Sequence, residues 1–229
     1  MKTSRKIELI MGLMLLGVVY IISINVTDLT ASNAIEKENV VVVIDAGHGG
    51  RDPGKVSVTK ELEKNINLSI AKKTKSLLEA QGITVVMTRE EDMGLYQETD
   101  SNKKAADMRA RCKLISESNA TLVVSIHQNS FSSESVKGAQ VFYYSKSDGG
   151  KELAEIMQSS LITTLDPTNT KKAKSNTNYY MLLHTECPSV IVECGFLSNW
   201  DEATKLESDD YQSKVAESIL NGITEYLAK

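Results

Sequence analysis

Two of the three histidines in this chain stand where a metal ion could be held. His48 lies between glycines and follows the apolar run at 40–44, and His127 ends the apolar run at 122–126. Glycine lets the backbone turn sharply and leaves room for a ligand to approach an imidazole. If both runs are strands of one α/β sheet, both imidazoles lie at the carboxyl edge, where such sheets bind ligands. A single histidine at a strand end is more typical of packing, but two at neighbouring strand ends favour a shared site.

A glutamate provides a third candidate ligand. Glu63, Ile66, Asn67 and Ile70 fall on one helical stripe, with the spacing i, i+3, i+4 and i+7. The two isoleucines should face the sheet, so Glu63 should point inward from the first turn of the helix. The helix dipole stabilises a carboxylate there by about 0.3–1 kcal/mol. Glu63 should therefore stay ionised and able to bind a metal, whereas Glu61 is expected only to interact favourably with the helix dipole.

A second glutamate interrupts an apolar run near the C-terminus. Glu193 follows 190–192 and precedes Cys194, and a carboxylate inside such a strand is costly unless it is paired or coordinated. Two histidines and one carboxylate, with a fourth position left open, form a common catalytic Zn²⁺ site. Such a metal polarises a carbonyl group and activates water. We therefore predict that His48, Glu63 and His127 bind zinc, and that Glu193 carries a proton to the leaving amine.

The elements that position these residues alternate between strand and helix. Asn199, with Glu202 three residues later, fits a capping box. A loop is expected at 166–178, and a loop or short strand around His184. Apolar runs predict strands at 40–45, 83–89, 121–127, 139–144 and 189–194, and helical spacing predicts helices at 61–81, 103–118, 150–165 and 208–227. The pattern predicts one α/β domain over 35–229, with a mostly parallel central sheet flanked by helices.

The first 34 residues carry a different signal. Lys2, Arg5 and Lys6 precede an uncharged apolar run at 9–24, which is shorter than the ~20 residues of a comfortable membrane span. This pattern predicts a signal peptide or an N-terminal membrane anchor, followed by a polar linker at 25–39. We therefore expect an extracytoplasmic protein, either secreted or attached to the membrane by the uncleaved segment.

Composition argues against several other classes of protein. The formal net charge of −4 disfavours nucleic-acid binding, which needs a basic face. The three cysteines, Cys112, Cys187 and Cys194, are odd in number and contain no close pair. Neither a disulfide framework nor a structural cysteine–zinc site is expected from them. They are predicted to be small, buried, free thiols.

These segments together resemble the zinc-dependent N-acetylmuramoyl-L-alanine amidases. The resemblance covers nearly all of 40–228, and it implies that His48, Glu63 and His127 bind Zn²⁺ and that Glu193 is the catalytic acid/base. It also implies a peptidoglycan substrate, cleaved between N-acetylmuramic acid and the L-alanine of the stem peptide. The matching segments, in the family's order, are 43–50 with 52–54, 63–68, 88–89, 125–129 and 192–199.

Some details are similar to the CwlD-type, germination-specific branch of that family in spore-forming bacteria. These are the segment 179–183, Cys194 after the glutamate, and the lack of wall-binding repeats. The resemblance implies a role in the spore cortex, as a step towards muramic-δ-lactam, with an activator or accessory protein as a further partner. Arg111 matches a family arginine and is expected to hold the fold or a site carboxylate. Lys171 and Lys172 stand where many members carry an arginine, which puts substrate contacts there in question.

Four alternatives remain at this point. A vegetative cell-wall amidase acting in cell separation would share the chemistry. A weakly catalytic relative that binds peptidoglycan or a partner should have a damaged ligand set, whereas all four residues are present. Zinc carboxypeptidases place histidine and glutamate in one short motif, but here a whole loop separates His48 from Glu63. A structural zinc protein would use cysteines and close the coordination shell.

Overall fold

A six-stranded sheet forms the centre of the structure, a computed structural model that describes residues 40–229. The strands are β1 Val41–Ala46, β2 Thr84–Met87, β3 Leu122–Asn129, β4 Gln140–Tyr144, β5 Lys174–Asn176 and β6 Ser189–Phe196. Their order across the sheet is β2-β1-β3-β6-β4-β5. Within this range every pairing is parallel except that of β4 with β6. The predicted single α/β domain with a mostly parallel sheet is confirmed.

Helices cover both faces of the sheet. They are α1 Glu63–Glu79, α2 Lys103–Glu117, α3 Asp148–Leu165, α4 Tyr180–Leu183, α5 Trp200–Glu207 and α6 Asp209–Leu227. The larger core contains apolar residues of α1, α3 and α6 with alternate residues of the central strands, such as Val42 and Val124. A smaller core on the other face joins Val43 and Val123 to α2 and α4. Burial on both faces explains why the central strands are continuous apolar runs.

The structure differs from the sequence expectations in two short elements. The region expected as a loop at 166–178 contains β5, and the segment expected as a loop or short strand before Pro188 contains the helix α4. β5 is a three-residue strand of Lys, Ser and Asn, so it lacks the apolar alternation by which strands are recognised. α4 is a single turn of four residues, which is too short to show a helical period.

The capping box at Asn199 is formed only in part. The Asn199 side chain accepts a hydrogen bond of 3.0 Å from the backbone N–H of Glu202, as predicted. The Glu202 carboxylate does not return to Asn199, because it accepts bonds of 2.8 Å from the backbone N–H groups of Gly138 and Phe196. Glu202 therefore joins α5 to the loop before β4 and to the end of β6.

The remaining expectations concern the thiols and the N-terminus. All three cysteines are free; Cys112 and Cys194 are buried as predicted, whereas Cys187 is only partly buried. The predicted signal peptide or anchor and the linker lie outside the described residues. Across residues 40–229, none of the helices combines the length and apolar character needed to cross a membrane.

Candidate metal centre

The four predicted site residues lie at one edge of the sheet. The loop that carries His48 follows β1, whose last residue, Ala46, pairs with Ile126 of β3. His127 is the next residue of β3, and its partner in the parallel register is Glu193 of β6. Glu63 is the first residue of α1. The fold thus brings together residues that are far apart in the sequence, because the ends of β1, β3 and β6 lie side by side in the sheet.

The side chains of His48, Glu63 and His127 converge on one point. Glu63 Oε1 lies 3.2 Å from His48 Nε2 and 3.0 Å from His127 Nδ1. One potential ligand atom from each residue lies within 4.8 Å of the other two, and no other trio of His, Cys, Asp or Glu in the described range does so. Two imidazole nitrogens and a carboxylate oxygen suit zinc, so these residues fit the predicted ion.

Several hydrogen bonds hold the Glu63 carboxylate in its charged form. Oε2 accepts from the backbone N–H of Lys55 at 2.8 Å, and Oε1 accepts from the backbone N–H of Gln128 at 3.1 Å. Burial alone would raise the pKa of Glu63, but the hydrogen bonds and charges of His127 and His48 outweigh it and hold that pKa far below its usual range. Burial alone would lower the pKa of His127, but the hydrogen bond to Glu63 and the charges of Glu63 and Glu193 outweigh it and raise that pKa.

His48 is oriented by Asp52, whose role the sequence analysis did not identify. His48 Nδ1 lies 3.0 Å from Asp52 Oδ2, which leaves Nε2 directed at Glu63. A carboxylate on the far nitrogen of a histidine fixes its tautomer and is a common feature of metal-binding histidines. Asp52 lies within the matched segment 52–54. Its i+4 spacing from His48 would predict a contact in a helix, but it does not predict one in a loop.

Two glycines allow the backbone to approach these side chains closely. A Cβ atom on Gly47 would lie 2.3 Å from Cε1 and Nε2 of His127. A Cβ atom on Gly54, which has a φ of +68°, would lie 2.5 Å from Glu63 Oε2. His48 itself has a φ of 62°, an uncommon conformation for a non-glycine residue, and one that is found preferentially at functional sites.

Arg111 fixes the end of β1 from the opposite face of the sheet. Its Nη1 donates to Asp45 Oδ1 at 2.6 Å, and its Nη2 donates to the backbone carbonyl of His48 at 2.6 Å. The Thr88 and Ser125 hydroxyls also donate to Asp45. Burial alone would raise the pKa of Asp45, but Arg111 and the two hydroxyls lower it to about 2. Arg111 thus has the structural role expected of it.

Arg89 supports the same loop, and the sequence analysis did not single it out. Its Nε donates to the carbonyl of Ala46 at 2.9 Å, and its Nη2 donates to the carbonyls of Gly47 at 3.1 Å and Lys64 at 2.8 Å. It therefore joins the His48 loop to the first turn of α1.

Glu193 lies beside the histidine–glutamate cluster, and one of its carboxylate oxygens has no hydrogen-bond partner among the described residues. It is 8% exposed, and its Oε2 is buried with no partner among the described residues. Burial is the largest cause of a pKa raised to about 7; the positive field of His127 opposes this shift and the charge of Glu63 adds to it. A carboxyl group with a pKa near neutrality can both accept and donate a proton.

The cluster opens into a cleft of about 530 Å³. Its walls include the three candidate ligands, Glu193, the loop after β1, the start of α2 and the segment 178–181. His184 does not line this cleft; it is exposed, and its ring stacks on Tyr180 at 3.9 Å. Lys171 and Lys172 are also absent from the cleft walls, and the Lys171 ammonium lies 5.1 Å from the centre of the Phe196 ring.

An α/β sheet with two histidines and a glutamate at its carboxyl edge, beside a buried glutamate in an open cleft, has the architecture of a metal-dependent hydrolase. The family model of N-acetylmuramoyl-L-alanine amidases (Amidase_3) matches residues 42–225. This chain therefore belongs to that family and is an N-acetylmuramoyl-L-alanine amidase.

Individual relatives agree with this assignment. The germination-specific N-acetylmuramoyl-L-alanine amidase of Bacillus subtilis is 42% identical over 192 residues, which are 82% of this chain and 80% of that protein. The CwlD amidase of Clostridioides difficile, solved in complex with the GerS lipoprotein, is 40% identical with a TM-score of 0.81, over 83% of this chain and 99% of that one. The amidase AmiC2 of Nostoc punctiforme is 33% identical with a TM-score of 0.73, over 83% and 98%.

Proposed function

We propose that this amidase uses Zn²⁺ held by His48, Glu63 and His127, with Glu193 as its catalytic acid/base. The observation that carries the proposal is the convergence of the three ligand groups within 4.8 Å, next to a buried glutamate whose strand pairs with that of His127. We further propose that residues 35–229 are the catalytic domain and that 1–34 export it or anchor it to the membrane.

Each of the three ligand residues is prepared for its role by its neighbours. Glu63 is kept ionised, and His48 is held by Asp52 with Nε2 towards the cluster. His127 is fixed between Glu63 and the backbone of Gly47. Zinc bound to these side chains would act as a Lewis acid that polarises the scissile carbonyl group and activates water.

Glu193 provides the proton transfers of the hydrolysis. As a carboxylate it accepts a proton from the attacking water, and it then delivers this proton to the nitrogen of L-alanine as the carbon–nitrogen bond breaks. The lactyl group of N-acetylmuramic acid leaves as a carboxylic acid, and the stem peptide leaves with a free amino group. Burial suits both steps, because it raises the pKa of Glu193 from its usual value towards neutrality.

We place the reaction in the spore cortex, as a step that precedes formation of muramic-δ-lactam. Similarity to the germination-specific amidase of Bacillus subtilis supports this assignment. The complex of the Clostridioides difficile CwlD amidase with the GerS lipoprotein supports an extracytoplasmic accessory protein as a partner of this chain. Both inferences concern the setting of the enzyme, and the chemistry does not depend on them.

The proposed reaction is tested by incubating purified, zinc-loaded protein with peptidoglycan and analysing the products by mass spectrometry. We expect free stem peptides that begin with L-alanine, together with intact glycan strands. Cleaved glycan with stem peptides still attached would contradict the proposal.

The proposed setting is tested separately by deleting the gene in a spore-forming host. We expect a cortex without muramic-δ-lactam and spores that germinate poorly. Normal lactam content with a defect in the separation of daughter cells would instead assign the enzyme to vegetative growth.

A further inference from the structure

Four of the five acidic side chains that line the cleft are engaged by partners within the protein, the exception being Glu193. Asp45 and Asp107 both contact Arg111, at 2.6 and 2.7 Å. Asp52 contacts His48, and Glu63 lies between the two histidines of the cluster. These four carboxylates are therefore held by contacts within the protein, with Asp45 and Asp107 sharing the one positive charge of Arg111.

Two lysines at the mouth of the cleft are positively charged and accessible. Lys55 is exposed and forms no ion pair with any residue in 40–229. The side chain of Lys104 is 73% exposed, and its single ion pair in that range joins it to Asp52 at 3.4 Å. Because Asp52 is also bound to His48, and because an ammonium group has three donors, Lys104 can accept a further anion.

The other side of the cleft carries no lysine or arginine, and its one acidic side chain is that of Glu193 on β6. The wall on this side is the segment 178–181, in which Tyr180 stacks on His184 and Tyr179 packs edge-on against Phe142 of β4 at 5.6 Å. The Lys55 loop follows β1, whereas Phe142 is in β4, and β3 with His127 lies between these strands in the sheet. The candidate metal centre thus separates a wall with two accessible ammonium groups from an aromatic wall that has no lysine or arginine.

We propose that Lys55 and Lys104 form a subsite for a carboxylate of the stem peptide, in the residue that follows L-alanine. The inference rests on the proposed function, because the scissile amide must lie at the metal centre between the two walls. The substrate is neutral on its sugar side, and its peptide carries acidic residues. Charge complementarity therefore directs the peptide towards the lysines and the sugar towards Tyr180.

The experiment compares two muropeptides that differ only in whether the carboxylate after L-alanine is free or amidated. The ratio of kcat/KM for the free acid to kcat/KM for the amide is measured for wild type and for Lys55→Gln/Lys104→Gln. We expect the ratio in this double variant to fall roughly two- to five-fold for each lysine removed, the size typical of an exposed ion pair. In wild type the ratio should also fall as salt is added.

Two control variants separate recognition from folding. Lys113→Gln removes a lysine of α2 that is as exposed as Lys104 and whose one ion pair among the described residues is with Glu117, and it should leave the ratio unchanged. Lys55→Arg/Lys104→Arg keeps both charges and should keep most of the preference. An unaltered ratio in the glutamine variant, with wild type cleaving both substrates, would overturn the subsite alone. Wild type cleaving neither substrate would overturn the proposed function and the subsite together.

Discussion

Replacing Arg111 with methionine would leave the carboxylate of Asp45 in the core without its cation. In the folded protein the Arg111 side chain is 2% exposed and that of Asp45 1%, and Nη1 and Oδ1 are 2.6 Å apart. Removing one partner of a buried ion pair typically costs about 3–5 kcal/mol, because the remaining charge is desolvated and uncompensated. Thr88 and Ser125 still donate to Asp45, so we expect the lower end, about 3 kcal/mol.

This destabilisation is measured by urea unfolding of the metal-free protein. With a slope of roughly 2 kcal/mol per molar urea, the midpoint should fall by about 1.5 M. The matched control is Arg109→Met, on the same helix, whose side chain is exposed. Adding Asp45→Asn to Arg111→Met removes the orphaned charge, so the double variant should be more stable than the sum of the single effects predicts. A midpoint shift equal to that of Arg109→Met, or strict additivity, would refute the reasoning.

Five further outcomes are expected. Asp52→Asn should weaken zinc binding about 10–100-fold in a chelator competition assay, because it removes the partner of His48 Nδ1. Glu193→Gln should keep the zinc content and lose about 10²–10⁴-fold in turnover. In the wild type, kcat/KM should fall as acid protonates Glu193. The midpoint of that fall should lie below about 7, the pKa of Glu193 without zinc, because the charge of bound zinc lowers this pKa. Gly47→Ala should displace His127 and lower zinc affinity in the same assay, since its Cβ would lie 2.3 Å from the ring. Asp45, with its pKa lowered from 3.8 to about 2, should contribute about 2 kcal/mol to the free energy of unfolding. This contribution is complete above about pH 4 and is lost as the pH falls towards 2. The Asp45→Asn variant should not show that loss of stability on acid unfolding.

The sequence was sufficient to predict the long elements and the convergence of the four site residues. The strands β1, β3 and β6 are apolar on both faces, so they were visible as continuous runs. The order of a parallel sheet then placed His48, His127 and Glu193 at one edge. The stripe that contains Ile66 and Ile70 was sufficient to turn Glu63 inward, where it is 2% exposed.

Contacts that depend on loop conformation could not be predicted in the same way. Asp52 reaches His48 only because the loop turns back at residues with positive φ, and Arg89 reaches four carbonyl groups that no side-chain pattern identifies. β5 is too polar and α4 is too short for periodicity to show them. The contrast between the two cleft walls is likewise a property of the folded chain, because it depends on which side of the metal centre Lys55 and Lys104 come to lie.

Zinc content is the measurement that tests the central claim most directly. Purified wild type, His127→Ala and His184→Ala are dialysed against metal-free buffer and analysed for zinc by elemental analysis. Wild type and His184→Ala should each retain about one zinc ion per chain, because His184 lies outside the cleft. His127→Ala should lose most of its zinc, because a site with three protein ligands has none to spare. Equal zinc content in all three proteins would contradict the assignment of His48, Glu63 and His127 as the metal centre.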